Sequence, residues 1–196
     1  LAKQGYDTKF LPPMFTEKLG QLRKIGPVLD YCLVDHMGEG KNVELVIEAF
    51  IELYKRGSKA QITFYGGSEE RLAELQNQYD IPPTIHFKGL VEEVPYHLHQ
   101  CYLSASYTEL FANACVEALS QGLLALLSDV EIAHRFYASQ SNAIRLFQNK
   151  GQLIQMIEEM EELDFYLSNE KNLALASRYS LEKVAQIYRE LLDRNF

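Results

Sequence analysis

Glu109 and Glu117 stand eight residues apart in Tyr-Thr-Glu-Leu-Phe-Ala-Asn-Ala-Cys-Val-Glu-Ala-Leu (107–119), one before and one inside a segment that reads as a helix beginning near Phe111 or Ala112. Such a helix aims the backbone N–H groups of Ala112, Asn113 and Ala114 out of its positive end, where an anion, phosphate above all, is welcome. Glu109 would then lie in the loop beside the phosphate, while Glu117, one to two turns along, could reach hydroxyls lying over the side of the helix. Carboxylates are strong hydroxyl acceptors, so the pair suggests sugar hydroxyls on both sides of a diphosphate. Spacing alone does not decide this, because two glutamates in an acidic chain are more often a solvated face.

A second cluster lies in Asp-His-Met-Gly-Glu-Gly-Lys (35–41), where Gly38, Gly40, His36 and Lys41 come directly before a helix. Glycines allow close backbone approach, and a lysine beside a helix N-terminus makes an anion site; an ordinary connection would look much the same. Tyr-Gly-Gly-Ser-Glu-Glu (65–70) ends a strand and opens a helix, with Ser68 as N-cap, but lacks the G-x-G-x-x-G of a dinucleotide fingerprint. His97 and His99 lack the nearby Cys or carboxylate cluster of a metal site, and His86 and His134 fall inside a strand and a helix. All four read as structural or surface residues. Cys32, Cys101 and Cys115, odd in number and set in apolar runs, read as buried reduced thiols of a cytoplasmic protein.

The elements that must position these residues alternate along the chain. Strands are expected at 28–34, 60–67, 84–89, 101–106, 123–128 and 143–147, with helices at 42–57, 69–79, 93–99, 111–121 and 130–139 between them. Several strands are apolar throughout, as in a parallel sheet covered on both faces. The fold class is therefore α/β: a Rossmann-like, doubly wound parallel sheet with a helical C-terminal tail (150–163, 165–177 and 181–194). In the last of these, Leu181, Val184, Ala185, Tyr188, Leu191 and Leu192 share a face behind the N-cap Ser180. Ligands of such sheets sit beyond the carboxyl ends of the strands, so the loops after 34, 65, 88, 106 and 128 matter.

Composition excludes other classes. A formal net charge of −8 argues against sequence-independent nucleic-acid binding, which needs a basic surface. No apolar run reaches the ~18 residues of a membrane span. The chain starts with Leu1, and its first 30 residues do not resemble the start of a fold, so a fragment of a longer protein is expected.

Taken in order, the motifs resemble the C-terminal, donor-binding half of a retaining GT-B glycosyltransferase, glycosyltransferase family 4 (glycosyl transferases group 1). The resemblance is carried by Lys41-Asn-Val-Glu-Leu-Val-Ile-Glu-Ala-Phe50, by Ile62-Thr-Phe-Tyr-Gly-Gly67 and by Ile85-His-Phe-Lys-Gly-Leu90. It is strongest in Ser106 to Gly122, which looks like the family's E-x7-E signature. The resemblance implies that Lys41 neutralises the donor's diphosphate, Glu109 contacts the transferred sugar and Glu117 holds the ribose hydroxyls. It further implies that His36 and Gly40 belong to the donor-binding loop, that backbone near Gly89 and Leu90 holds the base, and that the amides of Ala112 and Asn113 cap the phosphate. No cofactor and no metal are expected, the nucleotide sugar being substrate, with a UDP-linked donor favoured over a GDP-linked one.

The same resemblance divides the chain into 1–28, a remnant of the inter-domain linker and N-terminal half; 29–178, the nucleotide-sugar-binding domain; and 179–196, a helix crossing back toward the missing domain. The acceptor would be held mainly by that missing half, which could also supply peripheral association with the inner face of a membrane, and the fragment alone would transfer nothing. Four departures bear on turnover: His36 stands where the family has Arg, Leu110 and Ala112 replace glycines, and Glu131 (with Ile132) replaces a Gly-Gly pair. They motivate the alternative of a non-catalytic GT-B-like subunit or binding module. An unrelated doubly wound domain is the blander alternative.

Overall fold

The computed structural model describes residues 19–22, 24–109, 112–129, 132–163 and 167–193. Its centre is a six-stranded parallel sheet formed by β2 (Asp30–Val34), β3 (Gln61–Tyr65), β4 (Ile85–Gly89), β5 (Cys101–Ser104), β6 (Leu124–Ser128) and β7 (Ile144–Phe147), in the order β4-β3-β2-β5-β6-β7. The connecting helices are α1 (Val43–Lys55), α2 (Glu69–Gln78), α3 (Asn113–Ser120), α4 (Ile132–Ala138) and α5 (Lys150–Glu161), followed by α6 (Glu170–Ser177) and α7 (Leu181–Asp193). This is the doubly wound α/β architecture expected from the alternation.

Successive side chains of a strand face opposite sides of the sheet, and the two buried clusters follow that rule. Leu33, Phe64, Leu103 and Leu126 pack with Val46, Phe50 and Leu53 of α1, Leu75 of α2 and Leu153 and Ile157 of α5. Cys32, Tyr65, Tyr102, Ala125 and Leu127 face the other way, onto Cys115 and Leu119 of α3, Tyr137 of α4 and Leu175 of α6. All five residues of β6 are buried, which is why that segment is apolar rather than alternating.

The chain departs from the expected elements at three points. The helix expected at 93–99 is one 3-10 turn, Tyr96–Leu98, behind Pro95, which has no N–H to continue a ladder. The helix expected from 165 begins at Glu170 instead, because Leu167–Ser168 (β8) pairs antiparallel with Lys24–Ile25 (β1). This small second sheet ties residues from the start of the chain to the domain, and Gly20 adds a 2.7 Å hydrogen bond to the Ser120 carbonyl. Finally, the apolar stripe of α7 is only partly used: Val184 is buried, whereas Leu181 and Tyr188 are exposed.

From β2 the chain winds outward through β3 and β4, then returns to place β5 on the other side of β2. The reversal opens a crevice at the carboxyl ends of β2 and β5, the usual ligand position in open α/β sheets.

Candidate functional site at the strand switch point

Both loops at this crevice are built by close backbone contact. After β2 the chain makes a 3-10 turn, Glu39–Lys41, and the Gly40 carbonyl accepts from Tyr107 N–H (2.8 Å) and Ser106 Oγ (3.3 Å) in the loop after β5. A Cβ on Gly40 would lie 2.7 Å from Thr108 Oγ1, so a side chain there would have to turn the Thr108 hydroxyl aside. Behind it, a Cβ on Gly66 would lie 2.1 Å from the Asp35 carbonyl oxygen, while Asp35 N–H donates to the Tyr65 carbonyl (3.0 Å). Met37, at φ 60° and fully buried, pins the middle of the loop, and Arg71 of α2 donates Nε–H to its carbonyl (3.1 Å).

The outcome is a charge cluster. Lys41 Nζ lies 3.1 Å from Asp35 Oδ2 and donates a short hydrogen bond to Glu109 Oε1. The three side chains are 14%, 10% and 16% exposed, so the bridge is largely shielded from water. Burial pulls the Lys41 ammonium down, but hydrogen bonds to Glu109 and Asp35 outweigh it and hold its pKa above the usual lysine value. His36 Nδ1 lies 2.9 Å from Asp35 Oδ1, yet its side chain is 74% exposed. Asp35 is thus the hub of the cluster, and the sequence reading passed over it. Its signal was positional: it is the first residue past β2, at the switch point.

Facing this cluster is the start of α3. Ala112, the N-cap, adopts a left-handed conformation (φ 49°, ψ 57°), and its carbonyl accepts from Cys115 (2.9 Å) and Val116 (3.2 Å). Asn113 and Ala114 therefore open the first helical turn, ahead of the first N–H groups that find a helical carbonyl. His36, Lys41, Glu109, Ala112, Asn113 and Ala114 share the walls of one hollow of about 540 Å³. His36 also borders a neighbouring hollow of about 520 Å³ with Gly67, Arg71 and Leu90. Gly67 and Leu90 continue into a third, of about 430 Å³, with Phe87 and Gly89. Together they form a groove across the carboxyl ends of β5, β2, β3 and β4.

Most of the expected site residues lie at this groove, but Glu117 lines none of its three hollows. Lys41, Glu109, His36, Ala112 and Asn113 line one end, with Gly40 bracing it. Gly89 (φ 66°) ends β4 at the other, accepting from Gly66 N–H (2.7 Å), and Leu90 is 84% exposed. Glu117 lies one turn beyond Ala114, half-buried, and its Oε2 accepts from Tyr96 Oη (3.1 Å). Leu110, Phe111 and Glu131 lie outside the described residues. Arg71 is a second groove cation that the sequence did not single out, paired with Glu44 and with Glu74 (3.3 Å).

The remaining candidates take structural positions. His99, 6% exposed, meets Tyr65 Oη (2.9 Å), and burial lowers its pKa. His134 is fully buried, its Nδ1 2.9 Å from the Ser128 carbonyl oxygen. The three thiols are buried, and burial pushes each pKa up. Among the described residues no cluster of three or more His, Cys, Asp or Glu could hold a metal ion, and no helix is long and apolar enough to cross a membrane.

Comparison with known proteins agrees with this fold. The chain is 23% identical over 174 residues to alpha-monoglucosyldiacylglycerol synthase of Acholeplasma laidlawii, covering 83% of this chain and 44% of that protein. Among solved structures, the GtfA/B complex superposes with a TM-score of 0.73 at 15% identity, over 92% of this chain and 39% of its match. The pneumococcal O-GlcNAc transferase GtfA, in complex with UDP and GlcNAc, gives 0.71 at 17%, over 91% and 38%. The chain thus spans less than half the length of these relatives, and at such identities the structural likeness speaks for the fold. The family model for glycosyl transferases group 1 matches residues 17–178, which takes in the Lys41 loop, β5 and all of α3; the chain belongs to the glycosyl transferases group 1 family.

Proposed function

We propose that this chain is the donor-binding half of a retaining glycosyltransferase that moves a hexosyl group from a nucleotide-diphosphate sugar, UDP-linked in preference to GDP-linked, to a glycan, lipid or protein acceptor. The observation that carries the reading is the convergence of Lys41, Glu109 and the first turn of α3 on one hollow at the strand switch point. There the diphosphate would exchange onto the Lys41 ammonium and the amides of Asn113 and Ala114, an electrostatic arrangement that stabilises the departing phosphate without a protein base. Glu109, already at Lys41, would accept from a hydroxyl of the transferred sugar, and Glu117 from the ribose. The base would lie toward Gly89 and Leu90, at the far end of the groove. No metal is needed in this scheme, because Lys41 and the helix amides meet the developing charge. The pneumococcal transferase that shares the fold holds UDP, which supports the choice of nucleotide.

The acceptor would be contributed mainly by a second half, and a cytoplasmic location, with peripheral association at the inner membrane face through that half, fits this division of labour. Titration of the chain with UDP, GDP, ADP and their hexose conjugates tests the reading. UDP compounds should bind, and Lys41→Ala should weaken them by roughly tenfold or more, as expected for loss of a charged hydrogen bond to phosphate. The reading fails if no nucleotide binds, or if binding ignores Lys41.

One observation favours a second reading, a non-catalytic subunit of the same fold. Lys41 is already neutralised by two carboxylates, and the family's arginine is replaced by a mostly exposed His36. Donor binding by the full protein without transfer or slow donor hydrolysis would select it.

A further inference from the structure

We infer that Tyr96 aims Glu117, and thereby sets a preference for ribose over 2′-deoxyribose in the bound nucleotide; the inference rests on the nucleotide-sugar reading above. Tyr96 opens the 3-10 turn before β5 and is 2% exposed, its ring within the cluster that includes Tyr102, Cys115 and Leu119. A phenol buried among apolar groups must find an acceptor for its hydroxyl. Tyr96 Oη donates toward the Ala114 carbonyl oxygen (3.4 Å) and Glu117 Oε2 (3.1 Å), both on α3. Ala114 lines the hollow that holds Lys41 and Glu109, and Val94, two residues before Tyr96, lines the hollow next to it. The phenol therefore ties the Glu117 carboxylate to the groove-lining turn of the helix.

That tie matters because a half-exposed glutamate has three side-chain torsions and loses considerable freedom when it must hold one orientation for a ligand. A carboxylate offers about four acceptor positions, more than a single phenol can fill. A vicinal ribose diol can use two of those positions; a 2′-deoxyribose can use one. A tyrosine that merely satisfied its own hydroxyl would stabilise the fold equally but leave sugar discrimination untouched. Discrimination is thus the readout that separates the two roles.

The experiment is calorimetric titration of the 196-residue chain with UDP and with 2′-deoxy-UDP. The parent chain should favour UDP by roughly tenfold, the effect of one hydrogen bond to a charged acceptor. Tyr96→Phe, which removes a single oxygen, should cut that preference to about threefold or less by weakening UDP while leaving 2′-deoxy-UDP nearly unchanged. Glu117→Asp keeps the phenol and the charge but withdraws the carboxylate from Tyr96, so it should lose the preference in the same way. Glu117→Asp shows whether Glu117 carries the preference at all, and Tyr96→Phe whether the phenol sets it. An unchanged ratio in either variant overturns the inference, as does a parent chain that binds both nucleotides equally while the nucleotide reading stands. A parent chain that binds neither refutes the nucleotide reading and this inference with it.

Discussion

Removing the Lys41 ammonium without removing its volume, as in Lys41→Met, tests the charge cluster directly. Asp35 Oδ2 and Glu109 Oε1 both contact the same nitrogen, and both side chains are shielded, at 10% and 16% exposure. Two carboxylate charges about 6 Å apart repel by about 3 kcal/mol at an effective dielectric near 20, and residual water at the groove brings the figure nearer 2 kcal/mol. Lys41→Met should therefore destabilise the fold by about 2 to 3 kcal/mol, below the 3–5 typical when a fully buried pair is broken. For a domain of this size the melting temperature should drop by about 4–12 °C. Adding Asp35→Asn removes one of the repelling charges and should recover at least half of the loss, a coupling that independent sites would not show. The Lys41 cluster also carries a pH dependence. Because the Lys41 pKa is raised above its usual 10.5 in the folded state, its stabilisation is fully present below that value and is lost as pH climbs past it. Urea melts of the parent, both single variants and the double variant, at pH 7 and at pH 11, check each step. Strict additivity of the two substitutions at pH 7 would refute the account, and so would a Lys41→Met deficit that is undiminished at pH 11.

Two further outcomes follow from the packing. Gly66→Ala places a methyl 2.1 Å from the Asp35 carbonyl oxygen at φ 97°, so it should cost roughly 2 kcal/mol or more and weaken nucleotide binding together with stability, because the 35–41 loop must shift; a melting curve matching the parent's would contradict this. Cys32, Cys101 and Cys115 are each fully buried with thiol pKa values pushed up, so a thiol reagent such as Ellman's should label them in the native chain only at the rate of unfolding; rapid labelling of any of the three in native buffer would mean that the core opens.

Much of this was legible in the sequence because the relevant signals are periodic. The apolar runs of β2, β3, β5 and β6 and the α1 stripe of Val43, Val46, Ile47 and Phe50 announce a covered parallel sheet, and the strand order then dictates where a ligand crevice must open. Lys41 and Glu109 could be chosen because each lies in a loop at a strand's carboxyl end. What periodicity cannot report is a contact across the fold. Asp35 reads as one more loop carboxylate until Gly40 and Tyr107 draw the two loops together and make it a ligand of Lys41. Arg71 belongs to the exposed face of a polar helix in sequence, yet it braces Met37 from across the groove. The 93–99 segment has helical spacing, but Pro95 reduces it to one turn, and that turn delivers Tyr96 to Glu117.

The electrostatics of the groove constrain how any diphosphate can enter it. Asp35 and Glu109 already oppose the one ammonium between them, so a phosphate gains full attraction from Lys41 only by displacing a carboxylate from it. The two carboxylates differ in how easily they can leave. Asp35 has a short side chain fixed at a second oxygen by the Met37 N–H (3.3 Å) and His36 Nδ1 (2.9 Å), and its backbone is locked against β3 and Gly66. Glu109 has one more torsion and sits two residues past the Tyr107 stitch, in the loop that precedes the α3 N-terminus. Exchange would, on the proposed reading, fall on Glu109, where it would free an acceptor oxygen at the place a donor's sugar follows its phosphate. On the proposed reading, the Lys41–Glu109 contact is a resting position rather than an obstacle. The cost that would remain is Asp35, whose charge would stay beside the phosphate and lower donor affinity below what the helix amides and Lys41 alone would give.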